Sequence, residues 1–434
     1  LKQRFLWKTG VILPMIRKLL LGCLLLVAFA LVACEEENES PITDQQARTG
    51  PPDIAWQRPQ TPISSENVLS VTLTGLLVQH RSALNSIQFS ADNDWMLTHS
   101  RSDRWIQLWD LTDGTATDTL RDVDVRRVFL APDMAGLVLA TDDKRLQYRP
   151  LEDGDGEFHE VEISLERPGP AAQAILPVPG PADEVQRFAF GDFSGNVQLF
   201  SGFPLVERGT IEAFPVAIDD VLFTPDGERV VVRSHFGEVE VWDFETLESL
   251  HLFTGFTSPS RQIILSPDGQ QLVAVLVDSI QVWDLTAFTL LREMEILPES
   301  AGERLQISPD GQHLAVVGEE DTLVSVWDIA QGKLLVSGLD HPAEVTGLVF
   351  DNESQLLFSS VFSRNVLVWD LATITATEGT EQVSIPQFML SPGYSNEVEI
   401  TTLRLSPDGT LLVSADTEGL IYTIGVPPSS GAED

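Results

Sequence analysis

Between Arg261 and Leu285 the chain reads RQIILSPDGQQLVAVLVDSIQVWDL, and its apolar positions change rhythm along the way. A short apolar run stops at SPDG. There Pro fixes φ, Asp can bond the backbone two residues on, and Gly supplies a positive φ, so the four residues predict a hairpin turn. LVAVLV is almost continuously aliphatic and β-branched, the pattern of a strand covered on both faces. SIQVWDL alternates with period two and ends in a ring large enough to pack between neighbouring sheets. TLLREMEI then supplies a fourth strand.

The same sentence recurs along the chain. Its turn is SADN at 90–93, APDM at 131–134, TPDG at 224–227, SPDG at 266–269, SPDG at 308–311, DNES at 351–354 and SPDG at 406–409. Each turn's first residue is followed 16–19 positions later by an aromatic residue: Trp109, Tyr148, Trp242, Trp283, Trp327, Trp369 and Tyr422. An eighth unit, AFGDFSGNVQLF, ends at Phe200 and has PGPADE where the turn would be. Successive aromatics are 39 to 53 residues apart, the period of a repeat architecture with one four-stranded sheet per unit. Five of the eight are followed by Asp, giving WD at 109–110, 242–243, 283–284, 327–328 and 369–370.

On these WD pairs, SPDG turns and spacing, residues 67 to 426 resemble WD40 repeats. The resemblance implies an all-β propeller, its four-stranded blades set radially around a channel. Eight aromatic-ended units predict eight blades, or seven if one of the longer units is irregular. The last unit, ending GLIYTIGV, lacks a fourth strand, and NVLSVTLTGLL at 67–77 could supply it and close the ring. In the family a His, a strand hydroxyl, a turn Asp and the Trp form a hydrogen-bonded tetrad. The first unit matches it with His80, Ser100 (or Thr98 on the same strand), Asp103 and Trp109. Elsewhere the Gly-His that opens such units is almost absent, with Asp340-His341 a near match. Asp321 and Asp416 stand at the turn-Asp position in units without the His.

Before the repeats, Lys2, Arg4, Lys8, Arg17 and Lys18 lead into the 15-residue apolar run Leu19 to Ala33, with no acidic residue before Cys34. That run has the length of a signal-peptide core and falls short of the ~20 residues of a spanning helix. Leu31-Val32-Ala33-Cys34 resembles the lipobox of bacterial lipoproteins. This implies a signal peptide at 1–33, with Met15 as the translation start, and lipidation of Cys34. Residues 34–66, acidic and rich in Pro, Ser and Gln, read as a flexible tether. The propeller is expected over 67–427 and a disordered tail over 428–434. The resulting expectation is a monomer on the extracytoplasmic face of a bacterial membrane. Cys23 leaves with the signal, so the domain would hold no disulfide.

The net charge of −38 opposes phosphate backbones and argues against a nucleic-acid partner. No catalytic, phosphate-binding or cofactor motif is present, and the seven histidines lack metal-ligand spacing. Asp153, Asp155 and Glu157 imitate the start of a calcium loop but lack its glycine and bidentate glutamate. The expectation is therefore a non-catalytic platform for a protein or peptide, without cofactor or metal. The other reading is an enzyme or ligand sensor at the channel mouth, which requires a polar, cation-lined funnel. Candidate partner contacts are Arg101, Arg104, Phe236, Phe362 and Arg364 in loops between second and third strands. Tyr394 joins them, in an inserted loop at 388–400 that also carries Phe388 and Met389.

Overall fold

The computed structural model describes residues 56–428 apart from 132–133, 142–145, 152–158, 162–167, 177–185, 203–204, 255, 257–258, 297–303, 319–320, 364, 377–387 and 391–398. The apolar run at 19–33, Cys34, the acidic triplet at 153–157, Arg364, Tyr394 and most of the tail lie outside the described residues. No described helix is long and apolar enough to cross a membrane.

Among the described residues, thirty-two strands form eight antiparallel four-stranded sheets. Their strands are called a to d from the channel outward. In blade 1 these are Ser86–Phe89, Trp95–Ser100, Trp105–Asp110 and Thr115–Leu120. Blades 2 to 7 cover 125–161, 168–212, 218–253, 262–295, 305–340 and 345–390 in the same order. Blade 8 takes strands a to c from Ile400–Leu405, Leu412–Asp416 and Leu420–Gly425. Its d strand is Thr72–Val78 from the other end of the domain, paired Thr72 to Gly425 through Val78 to Leu420. The ring is closed by the early strand, which covers the edge that Leu420–Gly425 would otherwise leave unpaired.

There is no single core. Eight apolar clusters each fill one gap between neighbouring blades, the eighth joining Val413, Ala415 and Ile421 of blade 8 to Ile87, Met96 and Trp109 of blade 1. This explains the aliphatic b strands. Val230, Val231 and Val232 are fully buried because alternate side chains enter different gaps. The c-strand aromatics Trp109, Phe200, Trp242, Trp283, Trp327 and Trp369 pack toward the preceding blade. Tyr422, also fully buried, pairs with Ser414.

Tyr148 departs from this expectation. It pairs with Val138 and packs toward blade 3, while Arg149, paired with Leu137, occupies the position that Trp109 holds in blade 1. Side chains alternate with period two, so the one-residue offset turns the ring to the opposite face.

The repeated turn is held as its composition demands. Ser266 Oγ donates to Asp268 Oδ1 (2.5 Å), which also accepts from the Gln270 amide (3.0 Å), and Gly269 has φ +69°. Four of the five WD aspartates, Asp110, Asp243, Asp284 and Asp328, cap a c–d hairpin, while Asp370 accepts the Thr373 amide at the start of the short helix Leu371–Ala376. Asp284 Oδ1 accepts the Thr286 and Ala287 amides, both at 2.7 Å, and these bonds pull its pKa below the ordinary carboxylate value. The WD motif thus joins a packed ring to a turn cap.

Two expectations about loops are corrected. The flexible tether was placed at 34–66, but residues 56–66 lie packed along the rim formed by the a–b turns. Trp56 lies against Gly75 and Gly114, Arg58 pairs with Asp94 at 2.7 Å, and the Ile63 amide donates to the Gly409 carbonyl at 2.9 Å. Ser65 Oγ reaches Gln355 at 2.5 Å, so this strap crosses blades 1, 8 and 7. Two apolar anchors, Trp56 and the 2% exposed Ile63, hold it where the composition is otherwise polar. The second correction concerns Phe388 and Met389. Phe388–Leu390 is the d strand of blade 7, paired with Val366–Val368, and not part of a rim loop.

Candidate interaction rim and channel mouth

The b–c loops share one rim with the connections between blades. Gly419 in the blade 8 loop has φ +81°, and a side chain there would meet the Ser82 carbonyl and His80 Cβ at under 3 Å. Gly237 meets Ser260 in the same way, and Ser260 Oγ donates to its carbonyl at 2.7 Å.

Behind this rim sits the tetrad. His80 is buried, with Nδ1 3.1 Å from Asp103 Oδ2 and Nε2 2.9 Å from Thr98 Oγ1. The Trp109 indole N–H donates to the same Thr98 oxygen at 2.9 Å. Burial lowers the His80 pKa, with Asp103 opposing, so the ring is neutral at pH 7. Nδ1–H then faces the carboxylate and Nε2 accepts the threonine hydroxyl proton. Ser100, the hydroxyl expected here, instead faces Ser82 Oγ at 3.4 Å. Both hydroxyls lie on one face of the strand, but two residues of rise carry Ser100 about 6.6 Å toward the rim, away from the indole.

A second, unforeseen relay lies in blade 7. His341 Nε2 is 2.8 Å from Ser359 Oγ, which accepts the Trp369 N–H at 2.9 Å, while Nδ1 faces the Leu339 carbonyl at 2.7 Å instead of an Asp. The Asp340-His341 pair was its only sequence signal. In blade 8 the turn Asp survives without the His. Asp416 accepts the Tyr422 hydroxyl at 2.7 Å and the Leu420 amide at 2.9 Å, and burial raises its pKa. These buried relays bind strands together and present no reactive atom to a substrate.

The exposed side of the rim is different. Phe236 is 63% exposed, Phe193 46% and Phe362 41%, each at the tip of a b–c loop. Phe193 was missed, although Asp192-Phe193-Ser194-Gly195 carries a Phe in a short Gly-ended loop as Ser234-His235-Phe236-Gly237 does. Arg104 is exposed but engaged with the connection between blades 1 and 2, pairing with Asp124 at 2.9 Å and donating to the Asp122 carbonyl at 2.9 Å. Trp105 sits between two guanidiniums, 4.4 Å from Arg121 and 5.3 Å from Arg81. Arg101 is exposed, and its amide is held by Asn85 Oδ1 at 2.6 Å.

Arg101 also borders a polar cavity of about 320 Å³ between the a strands of blades 1 and 2, lined further by Ser86, Gln88, His99, Arg126 and Arg127. Gln88 closes its floor by donating to the Val128 carbonyl (2.6 Å) and accepting the Leu130 amide (3.0 Å). A register shift between Val125 and Arg127 bulges the strand, which lets two consecutive arginines border one cavity. Arg127 and Arg404, both on a strands, are open to solvent, yet surrounding protein lowers both guanidinium pKa values. Solvent access within a protein enclosure is the environment of a wet channel. Among the described residues no group of three or more His, Cys, Asp or Glu is placed to hold a metal.

The family model described as "WD domain, G-beta repeat" matches residues 71–110, from the closing strand through strand c of blade 1. Periodic tryptophan protein 2 of Arabidopsis thaliana is 23% identical over 207 residues, covering 47% of this chain and 21% of that protein. Echinoderm microtubule-associated protein-like 2 of Rattus norvegicus is 27% identical over 248 residues, 53% of this chain and 37% of that protein. COMPASS component SWD3 of Saccharomyces cerevisiae is 30% identical over 129 residues, 28% and 40% respectively. The chain thus spans well under half the length of these curated relatives. Among solved structures, the computationally designed Ika8 protein aligns with a TM-score of 0.58 at 20% identity, covering 80% of this chain and 98% of that one, a likeness of fold.

Proposed function

We propose that this eight-bladed WD40-type propeller is a non-catalytic platform that binds a protein or peptide partner on its b–c rim. The observation that carries the reading is the trio Phe193, Phe236 and Phe362, large rings held in water by three rigid loops of one rim. Aromatic side chains are the commonest energetic anchors of protein interfaces, and exposing them has no benefit to the isolated fold. Two of the relatives are named for assemblies, a microtubule-associated protein and a COMPASS component, which agrees with a scaffold role. The buried relays supply no activated nucleophile, acid or base at a surface.

The same proposal places the platform on the extracytoplasmic face of a bacterial membrane, as a monomer carried by lipid on Cys34. Its support is the sequence alone: basic residues, a 15-residue apolar run, the Leu31-Val32-Ala33-Cys34 box and an acidic segment after it. In-cell crosslinking of the full chain with mass spectrometry tests the platform. A reproducible partner is expected, its yield falling about tenfold or more in the triple variant Phe193→Ala, Phe236→Ala, Phe362→Ala. No partner, or an unchanged yield in the variant, defeats the reading. Incorporation of labelled fatty acid, lost in Cys34→Ala, tests the anchor separately.

A further inference from the structure

A protein with 65 acidic and 27 basic residues places three arginines around one cavity of about 320 Å³. Ordinary loop decoration would scatter them. Here the strand is bulged so that Arg126 and Arg127 reach the cavity together, with Arg101 joining from the b–c loop of the adjacent blade. Two polar atoms of the lining are buried without a protein partner, Ser86 Oγ and His99 Nε2. His99 is only 1% exposed. Orphaned buried polar atoms are rare in folded proteins, and a ligand is one thing that satisfies them. Ser86 and His99 are cross-strand partners, so both orphans stand at the same level of the cavity wall.

We propose that this cavity is a binding site for a small oxyanion, a carboxylate or phosphate group seated among Arg101, Arg126 and Arg127. Guanidinium forks match the planar or tetrahedral oxygens of such groups, and the serine hydroxyl donates to one more. The volume lies at the low end of small-molecule sites, which fits a compact polyanion and excludes a large ligand. Burial, and after it the neighbouring Arg126, lowers the Arg127 pKa, and bound negative charge opposes both effects. It also draws His99 toward its protonated form, raising a pKa that burial, helped by His80 and Arg101, holds at about 4 against the opposing Asp103 and a bond to the Val125 backbone. This gives the channel-mouth alternative a definite chemistry, and it does not depend on the platform reading, whose Phe residues lie elsewhere on the rim.

The test uses the full chain at constant ionic strength with chloride as the reference anion. Isothermal titration is run with inorganic phosphate, citrate and a tetraglutamate peptide. Saturable one-to-one binding of phosphate or citrate assigns the site to a free small anion; binding of the peptide alone assigns it to acidic side chains of a partner. Either result supports the site if Arg126→Gln with Arg127→Gln weakens binding about tenfold or more. Ser86→Ala, which removes only the orphaned hydroxyl, is expected to weaken it severalfold and covers the case in which the double variant fails to fold. No saturable binding by any of the three probes overturns the proposal. So does an affinity unchanged in both variants.

Discussion

Thr98 uses one hydroxyl for two buried partners, the Trp109 indole N–H and His80 Nε2, and neither has an alternative within the relay. Thr98→Val keeps the shape and leaves both unpaired. Each unsatisfied buried group costs about 1–3 kcal/mol, so the variant is expected to lose about 2–4 kcal/mol. Ser100→Ala loses a single 3.4 Å contact and is expected to cost under about 1 kcal/mol. Urea denaturation of the two variants side by side measures the difference, and equal losses would contradict the relay as drawn. The residue types of this tetrad were legible in the sequence. Choosing between two hydroxyls on one strand face needed the positions of His80 and the indole, which are three-dimensional facts. Arg101 was also legible as a rim residue, but its part in the cavity was not, because the cavity joins it to a bulge on another blade.

Within a blade, the a–b turn serves its own hairpin and its neighbour at once. A Cβ added at Gly269 would lie 2.4 Å from Cδ of Pro225 in the preceding blade's turn, whereas at Gly311 the nearest atom, on Pro267, is 3.6 Å away. Both glycines have φ near +70°. Gly311→Ala is therefore expected to cost about 1 kcal/mol, the strain of a left-handed alanine. Gly269→Ala should cost about 1–3 kcal/mol more, through overpacking against Pro225. Thermal unfolding compared across the two variants checks this, and equal shifts would remove any coupling between successive turns. The strand sequence was readable here because turn chemistry and period two repeat in every unit. The face of Tyr148 was not, since an aromatic one position early still matches the spacing. Phe388–Leu390 likewise offered no alternation long enough to mark a strand before the chain was seen to pair with Val366–Val368.

At the scale of the whole molecule, stability rests on eight gaps arranged in a ring, so failure at the closure opens two blades together. Ile63 and Trp56 reinforce this closure from the rim. Removing residues 1–78 takes away the strap and the d strand of blade 8, leaving Leu420–Gly425 as an unpaired edge. The truncated protein is expected to self-associate through that edge, seen by light scattering after size exclusion, while removal of residues 1–55 leaves the described contacts intact. A monomeric 79–434 fragment of unchanged melting temperature would contradict the closure as a stabilising device. The ring was foreseeable from the count of repeats and the missing strand; the strap was not, because two apolar anchors in a polar segment make no periodic pattern. Closure also sets a schedule. Thr74 meets Thr423 across 349 residues, so at ordinary synthesis rates the first strand waits roughly 20–70 s for its partner to be made. During that interval seven blades can assemble in order while one strand stays unmatched at the front of the chain. Leu420–Gly425 is the strand whose synthesis ends the wait.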